Sequence, residues 1–411
     1  MVLVAFQSAV SIADSYFVGR LGTAPLAGLA LVFPLVMLLQ MTTAGAMGGG
    51  VSSAIARALG AGQPSAARRF VVHALLIAGG IGLLFTVLLV PLGRMAYALL
   101  GGRDHALANA LAYSDVLFGG AIVVSLANIL ANILRGTGNM LVPAGALIAA
   151  ALVQIPLCGL LVREFGIQGA ALAYIASFGI AGCALAFVVF RPSSALRPRA
   201  ADFRLEWRLF RDILRVGALS SLNAVQTVFT ALVLTGLVGR YGAAALAGYG
   251  VGLRLELLQI PLVFAIGQSL VVLVGVHIGA GQAQRAKRIA WTGAAMGACI
   301  SLVIGVTVTL APLAWVGLFS SDPAVLESGS LYLRTVAPFY AFLAIGIALY
   351  FSSQGAGKVL WPFLAGTARL AIVVGGGALV ASLQGIFAVI AFAVLAFGVL
   401  TALFTARVKW N

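Results

Sequence analysis

Between Leu26 and Ala56 the chain carries no charged residue, and apolar runs of similar length recur almost to its end. A helix needs about 20 such residues to cross a bilayer, so each of these runs is long enough to span one. Hydrophobic residues make up 62% of the chain and charged residues only 9%, against roughly 25% charged in a soluble domain. The chain therefore reads as a polytopic helical membrane protein.

The sequence superimposes on itself with an offset close to 219. Leu26-Ala27-Gly28 matches Leu246-Ala247-Gly248, Gly60-Ala61-Gly62-Gln63 matches Gly279-Ala280-Gly281-Gln282, and Arg68-Arg69 falls on Lys287-Arg288. Arg135-Gly136-Thr137-Gly138 falls on Gln354-Gly355-Ala356-Gly357, and Pro143 on Pro362. Turn signals divide each copy into six spans: near 1–19, 25–58, 65–92, 108–135, 139–162 and 167–190, then 213–239, 244–277, 285–312, 327–354, 358–381 and 384–406. The expected fold is all-α, with twelve transmembrane helices in two six-helix lobes, 1–190 and 213–411. An Arg- and Pro-rich linker, 191–212, joins them. Its end, Leu205-Glu206-Trp207-Arg208-Leu209-Phe210-Arg211, reads either as an amphipathic turn on the membrane surface or as a solvated linker. Against its counterpart, the first helix reads as short by about ten residues.

An even number of spans per copy makes the repeat parallel, about an axis along the membrane normal. The net charge of +15 gathers in alternate loops and not on one face or tail, which argues against a nucleic-acid partner. Seventeen basic residues lie on the side of the linker and C-terminus, among them Arg68, Arg69, Arg288 and Lys409, and five on the other side. The positive-inside bias puts both termini and the linker in the cytoplasm. Cys158, Cys183 and Cys299 sit in apolar runs and read as packing residues.

Charges inside a membrane are costly and usually functional or paired. In Ala13-Asp14-Ser15-Tyr16-Phe17-Val18-Gly19-Arg20-Leu21-Gly22 the acid stands alone on its helix, and its counterpart is Leu234. A carboxyl without a cationic partner can take up and release a proton or bind Na⁺; it can also be a structural acid held by neutral donors. Glu256 and Arg369 lie at similar depth in spans eight and eleven, which suggests a buried ion pair with a mainly structural role. Asn128 and Asn132 share one face of span four, and with Gln154, Tyr174 and Gln226 they are candidates for a wet cavity or for helix–helix hydrogen bonds. Pro34 and Pro261, read as near-equivalent places in spans two and eight, are hinge candidates or static kinks. No phosphate-binding Gly-rich loop, hydrolase arrangement or clustered metal ligands are present; His73, His105 and His277 are scattered. No enzyme, cofactor or metal is expected.

Through the Asp14 stretch, Leu26-Ala27-Gly28, Ala58-Leu59-Gly60-Ala61-Gly62 and Ile133-Leu134-Arg135-Gly136, the chain resembles the multidrug and toxic compound extrusion family over essentially its whole length. The resemblance implies two six-helix lobes around a V-shaped cavity in the inner membrane of a bacterium. It implies export of amphipathic, often cationic compounds in exchange for H⁺ or Na⁺, by one chain acting as a monomer. It maps the family's first-helix coupling acid onto Asp14, whose protonation would bend helix one. One branch carries Asn and Asp where this chain has Ala151 and Ile155, and another a glutamate where it has Gln226; both departures weaken the Na⁺ reading. The leading expectation is an H⁺-driven antiporter. The alternatives are a lipid or lipid-linked oligosaccharide flippase of the same superfamily and an inactive, truncated transporter.

Overall fold

The computed structural model describes residues 2–408 and Trp410, and the side chains from Val10 onward. Every element among them is helical. The helices are α1 (Val2–Gly19), α2 (Thr23–Gln40), α3 (Gly48–Gly60), α4 (Pro64–Leu99), α5 (Asp104–Gly119), α6 (Ala121–Gly136), α7 (Leu141–Phe165) and α8 (Ile167–Phe190). After the linker come α9 (Trp207–Gly239), α10 (Ala243–Gly279), α11 (Ala283–Leu310), the short α12 (Pro312–Val316), α13 (Pro323–Val336), α14 (Tyr340–Gly355), α15 (Leu360–Leu379) and α16 (Leu383–Arg407). Among the described residues ten helical segments are long and apolar enough to cross a membrane, eleven if α5 and α6 count as one bent span. With α1 they give the twelve segments the repeat requires. A helix satisfies each backbone N–H within its own segment, which hydrocarbon demands.

The chain divides into two compact units, Met1–Ala218 and Leu219–Asn411. The division falls inside α9, several residues beyond the linker end expected from sequence. Most of the stretch 205–211 is helical, since α9 starts at Trp207. The linker is tied to α4. Arg68 Nε donates to Asp202 Oδ2 at 2.9 Å, and Arg69 pairs with Glu206. His73 Nε2 accepts the Glu206 N–H at 3.0 Å, and its ring meets Phe210 edge-on at 4.5 Å. Lys409 of the basic-residue tally lies outside the described residues.

The matched motifs have physical reasons. Gly62 and Gly281 both close a helix with left-handed backbone, at φ +69° and +73°, and the next residue folds back on the helix: Gln63 N–H to Ala58 O at 2.9 Å, Gln282 N–H to His277 O at 2.8 Å. A left-handed residue at this place favours glycine. Gly28 lies where α2 crosses α5, and an added Cβ would stand 2.8 Å from Ala110 N. Gly248 does the same where α10 crosses α13, 2.6 Å from Gly329 N.

Two spans are not continuous. The expected helix 108–135 bends by 51° between α5 and α6, at Gly119 and Gly120. Its counterpart breaks at the tight turn Ala337–Phe339, which contains Pro338. The expected helix 25–58 contains a π-helical segment, Met41–Met47, while α10 is α-helical throughout. Pro34 and Pro261 differ by 227 positions and not 219, so they are not equivalent. Pro261 corresponds to Thr42, inside the π segment. The first copy thus has its π segment at the place where the second carries a proline within unbroken α-helix.

Two outcomes follow. Gly28→Ala and Gly248→Ala each overpack a helix crossing and are expected to cost about 1–3 kcal/mol, read as a lower Tm of purified protein. Gly79→Ala, with nothing within 4 Å of the new Cβ, is expected to leave Tm unchanged. Burial pushes the Asp202 carboxyl up, but the Arg199 N–H and the Arg68 side chain outweigh it and hold it below the usual 3.8. Its contribution is then complete at neutral pH and lost as pH falls through the folded value. Asp202→Asn should lower Tm at pH 7, and the gap to wild type should shrink below about pH 3.8.

Candidate functional site

α1 is apolar except around Asp14, which is half-buried, and α7 crosses α1 with Gln154 facing the acid. Gln154 Nε2 donates to Asp14 Oδ2 at 2.9 Å. Asp14 Oδ1 is buried and accepts no hydrogen bond. The Cys158 thiol and the Tyr113 and Tyr174 hydroxyls are near enough to feel the acid's charge. No cation among the described residues pairs with Asp14, and Arg20 instead sits 6.0 Å over the Tyr16 ring. The partners of the acid are neutral, the Gln154 amide and the Cys158 thiol.

The contact opens a longer network. Ser177 Oγ donates to Gln154 Oε1 at 2.9 Å and to Tyr174 O at 2.8 Å. The Tyr174 hydroxyl meets Gln40 Nε2, and Gln40 Oε1 accepts from Asn128 Nδ2 at 2.8 Å. Asn128 Nδ2 also reaches Thr43 Oγ1 at 2.9 Å. One turn on, Asn132 Nδ2 donates to Ala44 O at 3.1 Å and Asn128 O at 2.9 Å, and Ser52 Oγ donates to Asn132 O at 2.7 Å. The π segment makes this possible: its wider turn presents Thr43 and the Ala44 carbonyl to α6. Gly48 leaves the room, since a Cβ there would stand 2.2 Å from Asn132 Nδ2. The result is a polar seam through the first unit, from Asp14 of α1 to the α6 end that carries Arg135.

Asp14, Gln154, Tyr174, Asn128 and Asn132 are thus brought together as candidates of one cluster. Gln226 is not among them; it belongs to the second unit, where it donates to Thr367 Oγ1 at 2.7 Å. Gln40, Thr43, Ser52 and Ser177 were missed. For Gln40 a signal existed: it falls on Gln259, so both copies hold a glutamine in an apolar span.

The second unit is dry where the first is wet. Asp14, Gln154, Tyr174 and Ser177 correspond to Leu234, Val373, Ile390 and Ala393, which share one buried hydrophobic cluster. Thr43, Asn128 and Asn132 correspond to Leu262, Ile347 and Phe351. The acid of this unit, Glu256, is buried and takes a hydrogen bond from the Tyr332 hydroxyl at 2.6 Å. Among the described residues no contact within 4 Å joins Glu256 to Arg369, so they form no direct salt bridge, but they lie near enough to feel each other's charge. Arg369 lies 5.8 Å over the Phe397 ring instead. Equal depth along two helices does not fix which way their side chains turn. Arg254 likewise faces the Phe319 ring, at 5.1 Å.

Among the described residues no group of three or more His, Cys, Asp or Glu could hold a metal. The MatE family profile matches residues 1–160 and 220–379. The chain is 28% identical over 361 residues to a FAD transporter of Shewanella oneidensis, covering 84% of this chain and 76% of that protein. It is 25% identical over 366 residues to the probable multidrug resistance protein NorM of Thermotoga maritima, covering 87% and 78%. The outward-facing structure of a multidrug resistance MATE transporter shares its fold, with a TM-score of 0.90 at 23% identity, over 99% of this chain and 92% of that one. With the family profile matching both halves of the repeat, the chain belongs to the MatE family of membrane transporters.

Proposed function

We propose that the chain is a secondary active antiporter that exports amphipathic, cationic organic compounds in exchange for H⁺ by alternating access, with Asp14 as the coupling group. The observation that carries this is the Asp14 carboxyl itself: it is held by the Gln154 amide N–H and the Cys158 thiol, both neutral, and among the described residues no cation neutralises it. A single negative charge in an apolar unit attracts either a proton or a cationic substrate. Two cations that compete for one charge exclude each other, and that mutual exclusion is the thermodynamic content of exchange. Na⁺ is the weaker coupling ion, because it asks for several oxygen ligands while Ala151 and Ile155 of α7 supply no side-chain oxygen. The seam from Gln154 to Ser52 holds α1, α2, α6, α7 and α8 in register around the acid. Both termini and the linker are assigned to the cytoplasm, on the distribution of basic residues.

The likeness to a FAD transporter makes a flavin nucleotide the competing cargo. Such a cargo is anionic and would not compete with H⁺ for the charge of Asp14, so the two readings separate in one assay. Purified protein in proteoliposomes, given an imposed pH gradient, should move a fluorescent organic cation. Asp14→Asn should abolish gradient-driven movement and weaken binding of the cation, while the variant still folds. Transport that persists in Asp14→Asn would remove Asp14 from coupling, and FAD transport without cation transport would establish the flavin reading. Gln154→Leu, which strips the acid of its amide donor, is expected to slow coupled transport roughly tenfold, the equivalent of about 1.4 kcal/mol, read as initial rate in the same assay.

A further inference from the structure

Asp14 lies against two consecutive turns of α7. Gln154 Nε2 stands 2.9 Å from its Oδ2, and Cys158, four residues on, shares that face about 6 Å further along the axis. The two helices run close here: a Cβ at Gly159 would stand 3.0 Å from the Phe17 ring, and Phe17 is one turn beyond Asp14. Cys158 is fully buried, in the cluster that holds Val18 and Tyr113, with Phe17 and Tyr174 packed against it. Packing therefore fixes the thiol beside the acid, as the carboxyl's second neutral partner. Cys183 and Cys299, by contrast, are exposed.

The atoms these groups turn toward the carboxyl decide which ion can join it. A proton needs one oxygen. Na⁺ is a hard cation and needs several, and hard cations take oxygen in preference to sulfur. Gln154 presents its N–H, and its own Oε1 is turned away to accept from Ser177 Oγ at 2.9 Å. Ser15, next to the acid in sequence, donates to Ser11 O of its own helix at 2.9 Å. The phenol oxygens of Tyr113 and Tyr174 are near enough to feel the acid's charge, but that of Tyr174 is engaged with Gln40 Nε2. Cys158 presents sulfur, a weak acceptor and a soft ligand. The acid is thus surrounded mainly by donors and a soft atom, which suits a carboxyl that alternates between bare and protonated.

Resting on the reading of Asp14 as the coupling acid, we propose that Cys158 is a specificity-determining residue that keeps this site for H⁺. Its sulfur holds the place beside the carboxyl where a Na⁺ site needs a hard oxygen. Serine has nearly the same shape as cysteine and differs by one atom, a hydroxyl oxygen with two acceptor lone pairs. Cys158→Ser therefore puts an oxygen ligand beside Asp14 while the surrounding packing is kept. Selectivity at this position lies in the identity of one buried atom, and the number of acids stays the same.

The test is the Tm of the purified full chain, titrated with NaCl against KCl at equal ionic strength and at alkaline pH, where protons compete least. An ion that binds the folded state raises Tm whether or not transport occurs. The Na⁺ concentration that gives half of the stabilisation should be about tenfold lower in C158S than in wild type or C158A. C158T, which carries the same hydroxyl, should behave as C158S, and D14N/C158S should lose the effect. In proteoliposomes, Na⁺ in place of K⁺ should slow H⁺-driven uptake by C158S and leave wild type unchanged. Na⁺ stabilisation of wild type or C158A equal to that of C158S overturns the proposal, as does a response that survives D14N. So does the lack of any Na⁺ response in both hydroxyl variants, each shown to be folded by its own melting transition. Gradient-driven transport that persists in D14N defeats the coupling reading instead, and the Na⁺ titration still decides whether Cys158 excludes Na⁺ from the acid.

Discussion

A carboxyl on a membrane helix with no cation to meet it must be held by neutral donors, and Asp14 is held by the Gln154 amide with the Cys158 thiol beside it. The amide contact sets demands outward. To aim its N–H at α1, Gln154 needs an anchor for its own oxygen, and Ser177 provides it. Tyr174, one turn before Ser177, then reaches Gln40, and Gln40 reaches Asn128. In water each of these groups would be satisfied by solvent; in hydrocarbon each must find another protein group or cost several kcal/mol. The helix arrangement of the first unit is therefore fixed as much by polar satisfaction as by packing.

The duplication isolates what is special about that unit. Both copies keep the same crossings at Gly28 and Gly248 and the same turns at Gly62 and Gly281, so the scaffold does not need the polar seam. Where the seam is replaced by Leu234, Val373, Ile390 and Ala393, the result is ordinary hydrophobic core. One relation survives in both units: Tyr113 and Tyr332 are counterparts, and each lies beside its unit's buried acid. The acids themselves stand on different helices.

Much of this was legible in the sequence. Membrane class, repeat and span count follow from charge-free length and self-similarity, because lipid admits few other solutions. Asp14, Asn128, Asn132, Gln154 and Tyr174 stand out as polar groups in apolar runs, and they meet. What sequence could not give was direction around a helix. Glu256 and Arg369 feel each other's charge, but their direct contacts are with a tyrosine hydroxyl and a phenylalanine ring. Thr43 joins the seam from within a wide turn, and no residue type announces that turn. The bend at Gly119 and Gly120 escaped because glycine pairs elsewhere, such as Gly79-Gly80, sit in unbroken helix.

The wide turn at Met41–Met47 acts as a local detour. A π segment absorbs an extra residue within its own turn, so the helical faces before and after it keep the register of a continuous α-helix. Removing one residue from this stretch would restore a regular helix that packs and spans as before, with Ser52 still toward Asn132 and Val51 still in the core, while Thr43 and the Ala44 carbonyl would lose their places against α6. The polar contacts of the π segment thus rest on a local excess of one residue. Such an excess is a small change by which one copy of a duplicated unit can acquire chemistry that its sibling lacks.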